Sequence, residues 1–390
     1  MLDFNNTEVA FASKSNNNLR NAYLLYSTIA SPTLVGGAKG ITEFALKFGV
    51  PVGWAVKPTL YRQFVGGETL EDCTRTVENL RRENILSVLD FSAEGGKELS
   101  DVERAYLETI KSIDFAKGNG NIAYTVFKPT AMVAGSVFDK AAEGYSLNDI
   151  EKTEMDNFRT RIFSLCRRAH ENGVKILIDA EHYVYQGIID KITEEAMEMF
   201  NKERVIVFHT LQMYRHDRIA YLKNLHMEAK EKNYKPGIKF VRGAYMEHER
   251  ERARIKGYLS PIHFSKADTD RSYDDGLRYV IENINDFELF SGTHNYESNY
   301  LLASLIQEKG LAKNDPRIFF SQLFGMSDNI SYALAKEGFN ICKYIPYAPV
   351  KDVLPYLLRR AEENTSMAGQ TGRELSLIKA EMQRRNISLI

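Results

Sequence analysis

The stretch Tyr344-Ile-Pro-Tyr-Ala-Pro-Val-Lys-Asp-Val-Leu-Pro-Tyr-Leu-Leu-Arg359-Arg360-Ala-Glu-Glu363-Asn364 joins the end of an apolar run to a helix through a Pro-rich turn. Read as a helix from Val350, it has two faces. Leu354, Leu357, Leu358 and Ala361 fall at i, i+3, i+4, i+7 and make an apolar stripe; Tyr356, Arg359, Arg360 and Glu363 make a polar one. Adjacent arginines offer planar forks that can grip a carboxylate, with a solvated helix face as the plain alternative. The same unit, a short run of Val, Ile, Leu and Phe followed by helical periodicity, recurs along the chain. The runs are 85–91, 122–128, 174–179, 205–210, 238–242, 287–292, 318–323 and 339–344. Strand-like runs alternating with helices indicate parallel βαβ units, and eight of them are the number in a (β/α)8 TIM-type barrel, here expected to be distorted. A doubly wound open sheet is the alternative α/β fold.

Residues 1–75 read as an N-terminal helical arm and 76–390 as the barrel catalytic domain. Thr69 reads as an N-cap with Asp72 at the acidic third position, and Leu70, Cys73, Val77 and Leu80 keep a helical face. The segment 375–390 has helical spacing suited to packing on the barrel or on a membrane surface. The first 65 residues carry no recognisable chemistry.

The 390 residues are 44% hydrophobic with a net charge of −1, which gives no electrostatic reason to expect nucleic acid. Cys73, Cys166 and Cys342 are widely separated and read as buried thiols of a reducing compartment. No apolar run reaches the ~18 residues of a spanning helix, and the N-terminus lacks a signal-peptide layout. In a barrel the chemistry sits where strands end. Those ends carry Asp90, Lys128, Asp179 with Glu181, Thr210 with Gln212, Arg242 with Tyr245, Thr293-His294-Asn295, Gln322 with Leu323, and Tyr344. Each has a plain alternative: Asp179 as a helix cap, His294 as a core histidine, Tyr245 and Tyr344 as rim packing, Leu323 as core, Lys128 as solvated.

These segments resemble the proline dehydrogenases, FAD-dependent barrel enzymes. The 344–364 stretch is similar to that family's C-terminal signature, and Lys239-Phe-Val-Arg-Gly-Ala-Tyr245 to its second landmark. Ile178-Asp179-Ala180-Glu181, Leu211-Gln212-Met213-Tyr214, Thr293-His294-Asn295 and Gln322-Leu323-Phe324-Gly325-Met326 follow the family's order, over residues 66–385 in all. The arrangement is similar to the stand-alone type, with no aldehyde-dehydrogenase segment following.

The resemblance implies oxidation of L-proline to Δ1-pyrroline-5-carboxylate, the first step of proline catabolism to glutamate. Hydride would pass to N5 of FAD and electrons onward to a membrane quinone. The sequence itself reads as cytoplasmic, and peripheral contact with the inner face of the membrane is left open, as is a homo-oligomer. Arg359, Arg360 and Lys128 would hold the substrate carboxylate. Tyr245, Leu323 and Tyr344 would wall the ring, with Tyr344 crowding the place of a hydroxyl and so favouring proline over hydroxyproline. Asp179 would fix Lys128 or a flavin-side hydroxyl, and Glu363 would orient Arg359 at i, i+4. Lys239 takes the place of a cation near flavin N5 that is arginine in some relatives. Gln212, Val241, Gly243, Thr293, His294 and Asn295 would contact FAD, and Lys266 its pyrophosphate. No dedicated base stands out; nearby positive charge would lower the amine pKa and water would take the proton. The Arg359 helix could close as a lid, with Glu94 as gate partner.

Two other classes compete. Asp179, Glu181, His182, His209 and His294 could ligate metal in a barrel hydrolase, although the first strand lacks a His-x-His. A non-catalytic amino-acid-binding barrel would keep the arginines without needing Lys239 or Thr293-His294-Asn295. The favoured reading is the flavoenzyme, with no metal.

Overall fold

The computed structural model describes residues 2–29, 56–93, 98–366 and 370–388, with the side chains of 361–371 outside the description. Eight strands run in sequence order around a closed parallel barrel: β1 (Leu86–Phe91), β2 (Ile122–Phe127), β3 (Lys175–Ile178), β4 (Val207–Gln212), β5 (Gly237–Val241), β6 (Glu288–Gly292), β7 (Ile318–Leu323) and β8 (Ile341–Tyr347). Pairing of β8 with β1, from Leu86 opposite Cys342 to Phe91 opposite Tyr347, closes the sheet and excludes the open alternative.

Strand ends moved where neighbours demanded it. β8 continues three residues past Tyr344 because β1 supplies partners as far as Tyr347, and the Ser92 amide then donates to the Tyr347 carbonyl at 3.1 Å. β4 runs on to Gln212 because β5 pairs with it as far as Val241. Asp179 lies one residue beyond β3, its amide still donating to the Phe127 carbonyl at 3.1 Å.

Alternation sends every second strand residue inward. The lower interior is aromatic: the Tyr124 ring meets Phe208, Phe290 and Phe319 edge-on at 4.9–5.3 Å. Lys175 and Glu288, near the strand starts, pair beneath them at 2.5 Å. One step up, the same inward rows change to Asp90, Lys128, Asp179, Thr210 and Lys239. The polar mouth therefore stands on a rigid apolar plug.

On the outside, Thr69 and Asp72 form the capping box of the helix Leu70–Arg82, whose Leu70, Cys73, Val77 and Leu80 are all buried. This helix runs through position 75/76. A second apolar core lies over the mouth. It joins Leu19, Ala22 and Tyr26 of the helix Asn16–Ile29 to Leu377, Ile378 and Met382 of the helix Gln370–Arg384, and to Val353, Tyr356 and Leu357 of the helix Val350–Ser366. The C-terminal helix thus packs on the N-terminal arm. Arg385 fastens the two, its Nη1 and Nη2 donating to the Lys14 and Phe11 carbonyls at 2.7 Å each. Tyr26 Oη and Gln63 Nε2 both donate to the Gly325 carbonyl at 2.7 Å, tying the arm to the loop after β7. In the helix Val350–Ser366, Leu358 is only half-buried, whereas Tyr356 and Arg360 of the polar stripe are buried. Among the described residues no helix is long and apolar enough to cross a membrane.

Ile378 is almost fully buried between arm and C-terminal helix. Ile378→Ala is expected to cost about 2–4 kcal/mol. Urea unfolding would show this as a lower midpoint at unchanged slope.

Candidate active site

Asp179 sits at the centre of the mouth. Its Oδ1 accepts from Lys239 Nζ at 2.6 Å, and its Oδ2 from Tyr344 Oη at 3.0 Å and from Lys128 Nζ at 3.5 Å. Lys128 also reaches Asp90 Oδ2 at 3.3 Å, an oxygen that takes the Ser92 hydroxyl as well. Two ammonium groups thus face two carboxylates, a balance that allows buried charge at all. Burial opposes ionisation of Asp179, yet Lys239, then Lys128, and the hydrogen bonds from Lys239 and Tyr344 hold its carboxyl below the usual range. Burial, Asp179 and Asp90 push the Tyr344 phenol well above its ordinary value, so it stays a donor. Lys239 Nζ also lies over the face of the Tyr344 ring, 4.8 Å from its centre, so that ring is held at both face and tip.

Glu181 ties four strand exits together. Thr130 and Tyr245 donate hydroxyl hydrogen bonds to its carboxylate at 2.7 and 2.9 Å, its amide donates to the Gln186 side chain at 2.9 Å, and its carbonyl accepts from Gln212 Nε2 at 3.1 Å. Burial raises its carboxyl pKa. The Tyr245 ring stacks on His182 at 3.9 Å, and His182 Nδ1 lies 3.1 Å from buried Glu249. Sequence reading passed over Glu181 as a positioning group; its signal was its place two residues past Asp179, on the same outward turn.

Arg360 is buried with its guanidinium 5.2 Å from the centre of the Tyr356 ring, and Arg359 is half-buried. Their helix borders the mouth, since the positive charge of Arg360 acts on His294. Leu323 is half-buried at the end of β7. The side chain of Glu363, and Glu94 altogether, lie outside the described residues.

On the other side, Arg242 donates to Asp270 at 2.7 Å, to Thr293 Oγ1 at 2.6 Å and to Ser298 at 3.0 Å. Lys266 is exposed and pairs with the same Asp270, away from the barrel interior. Sequence reading did not choose Arg242 as a contact although it stands within the Lys239–Tyr245 landmark. Asn295 caps the helix Tyr296–Glu308 through the Ser298 amide at 2.9 Å. His294 Nδ1 lies 2.9 Å from Ser327 Oγ, and burial, then Lys343, Arg360 and Arg242, lower its pKa to about 3, so it is neutral. Gly243 has φ +131°, and an added Cβ would stand 2.5 Å from the Tyr214 ring, so a neighbouring side chain already requires glycine here.

The residues present fit a flavin dinucleotide. Thr210 Oγ1 is buried without a hydrogen-bond partner, on the residue registered against Lys239. Gly292 stands opposite Ser321 of β7, and an added Cβ would lie 3.4 Å from Val241 Cγ1, so the glycine keeps the wall beside half-buried Val241 free of a side chain. Arg242 and Lys266 place two cations on one carboxylate, beside the N-terminus of the helix Lys266–Glu282, where an anion is welcome. The hydrolase ligands are dispersed instead: His209 faces Asp190, His182 faces Glu249 and His294 faces Ser327. Among the described residues no group of three or more His, Cys, Asp or Glu could hold a metal ion.

Fold and mouth together define a (β/α)8 barrel with a partly buried, charge-balanced cluster at its C-terminal end. The sequence profile described as proline dehydrogenase matches residues 73–373, and the chain belongs to the proline dehydrogenase family. It is 32% identical over 322 residues to the carbapenem antibiotics biosynthesis protein CarD of Pectobacterium carotovorum subsp. carotovorum, covering 83% of each chain. It is 36% identical over 265 residues to mitochondrial proline dehydrogenase 1 of Arabidopsis thaliana, covering 67% of this chain and 53% of that one, so it spans about half the length of the plant relative. The crystal structure of proline utilization A from Bdellovibrio bacteriovorus, inactivated by N-propargylglycine, superposes with a TM-score of 0.73 at 18% identity. That match covers 96% of this chain and 40% of that one and shows the shared fold.

Removing the Asp179 charge strands Lys239 beside it, so Asp179→Asn is expected to destabilise by about 3–5 kcal/mol at neutral pH. Because the folded carboxyl titrates below its unfolded value of about 3.9, its contribution is present above that pH and disappears as pH falls through the folded value. Chemical denaturation of both proteins should show the gap closing only below about pH 4. Glu181→Ala leaves the Tyr245 and Thr130 hydroxyls without their acceptor and is expected to cost about 1–3 kcal/mol, with Glu181→Gln recovering most of it in the same assay.

Proposed function

We propose that this protein oxidises L-proline to Δ1-pyrroline-5-carboxylate as the first step of proline catabolism, with FAD as cofactor. One observation carries the reading: Asp179 holds Lys239, on the proposed flavin side, and Lys128 with Tyr344, on the proposed substrate side, within a single hydrogen-bonded cluster. A bound flavin would supply the hydride acceptor at N5, with a membrane quinone taking the electrons on. Gln212, Lys239, Val241, Gly243, Thr293, His294 and Asn295 are proposed to hold it, with Arg242 and Lys266 toward its phosphates.

The remaining chemistry belongs to the chain. Arg359 and Arg360 offer charged forks for the substrate carboxylate, and Lys128 adds a point charge already restrained by Asp90 and Asp179. This positive field favours a neutral substrate amine, and water accepts the released proton. Tyr245, Leu323 and Tyr344 enclose the ring. Tyr344 is bound at its hydroxyl and covered by Lys239, so it cannot swing aside to admit a ring hydroxyl, which favours proline over hydroxyproline. On this reading the enzyme is cytoplasmic and works at the inner face of a membrane.

Arg359→Met and Arg360→Met should each raise the KM for proline, by about 1.5–3 kcal/mol of lost binding or roughly ten- to hundredfold, with a smaller effect on kcat. Steady-state kinetics with a soluble dye as acceptor measures this. Unchanged KM in both variants would refute the carboxylate assignment.

A further inference from the structure

Residues 257–265 connect the helix Met246–Lys256 to the helix Lys266–Glu282, in the excursion that follows β5 at the barrel's C-terminal mouth. The loop is firmly held. Pro261 and Ile262 are buried, and Ile262 bridges to Arg215. The His216 amide donates to the Pro261 carbonyl at 3.1 Å, and the His263 amide to the Tyr214 carbonyl at 2.8 Å. Arg250 Nη2 donates to the carbonyls of His263 and Phe264 at 3.0 and 3.1 Å.

From this pinned backbone two large apolar side chains project into solvent. Leu259 is 94% exposed and Phe264 96%, the two most exposed large apolar side chains among the described residues, with Ile255 nearby in sequence at 68%. Leaving side chains of this size in water runs against the hydrophobic effect. The loop hides Pro261 and Ile262 yet holds their neighbours outward. A frayed loop would not sort its residues this way. Positions 252–265 also contain Arg252, Arg254 and Lys256 and no acidic residue. They pair with Glu143 and Glu251, and in every pair the cation is the more exposed partner. A patch of three apolar side chains is small against the ~800 Å² that each partner of a stable protein complex covers. A few inserted apolar groups beneath outward cations is instead the pattern of peripheral lipid contact.

We propose that the 257–265 loop is a lipid-contacting foot. Leu259 and Phe264, with Ile255, enter the interfacial zone of an anionic bilayer, while Arg252, Arg254 and Lys256 face its headgroups. Its position after β5 brings the C-terminal mouth to the membrane that holds the electron acceptor; that consequence, unlike the lipid contact, rests on the proposed reaction.

The test uses the full chain loaded with FAD, as wild type and as the double variant Leu259→Ser/Phe264→Ser. Co-sedimentation is measured with vesicles of phosphatidylcholine plus phosphatidylglycerol and of phosphatidylcholine alone. Wild type should bind the mixed vesicles more tightly than the neutral ones, and the double variant should lose at least about tenfold in affinity for the mixed vesicles. Melting temperature and proline oxidation with a soluble dye should be unchanged, whereas reduction of a quinone dissolved in the vesicles should fall. Wild type that ignores vesicles, or a double variant that binds them equally, overturns the proposal. So does a double variant that turns a wild-type dimer into a monomer while keeping its lipid affinity, since the patch would then serve a second copy of the chain. Vesicle binding without any dye reduction by proline would overturn the reaction and leave the lipid contact standing.

Discussion

The ion pair between Asp179 and Lys239, 2.6 Å long and closed over by Tyr344, is the interaction on which the mouth depends. A lone ammonium at this depth would be driven to lose its proton, and a lone carboxylate to gain one. Placed together they compensate each other. Lys128 is balanced in turn by Asp90, the fourth member of the set. Neutrality of the set matters for function. The arginines of the helix Val350–Ser366 act on a background already balanced, so an arriving carboxylate is not needed to hold the apoprotein together.

The second constraint comes from outside the barrel. The helix bearing Arg359 and Arg360 is held by the same apolar core that joins the N-terminal and C-terminal helices. Lys14 of the arm and Lys343 of β8 both pair with Asp328 at 2.9 Å, and Glu374 of the last helix accepts from the Ser327 amide at 2.5 Å. Ser327 in turn meets His294. The chain termini are therefore part of the wall around the pocket, which is why an account built from the eight strands alone leaves the site open on one side.

The barrel was legible because parallel strands covered on both faces read as continuous apolar runs, and eight such runs are easily counted. The site was partly legible for a related reason: barrel chemistry gathers at strand ends, so Lys128, Asp179 and Lys239 announced themselves by interrupting or closing those runs. What sequence could not supply was partnership. In the sequence Asp179 reads as fixing Lys128 or a flavin-side hydroxyl, yet its shortest bond is to Lys239, because register places β3 and β5 residues on the same inward level. Glu181 and Arg242 were visible as letters in known segments, but their roles arise from contacts 28 to 64 residues away in the chain. Leu358 missed its stripe because the helix is covered on two sides, and strand ends slipped at β4 and β8 where neighbouring strands extended the ladder. Asn295 shows the opposite limit: its helix-capping bond alone accounts for an asparagine there.

The most direct test of the whole account is the visible spectrum of the purified, FAD-supplied protein, recorded without oxygen before and after addition of L-proline. The account predicts flavin absorption that bleaches with L-proline and persists with hydroxyproline. Flavin bands that L-proline leaves unchanged would contradict the proposed substrate, and protein that takes up no flavin would contradict the proposed cofactor site itself.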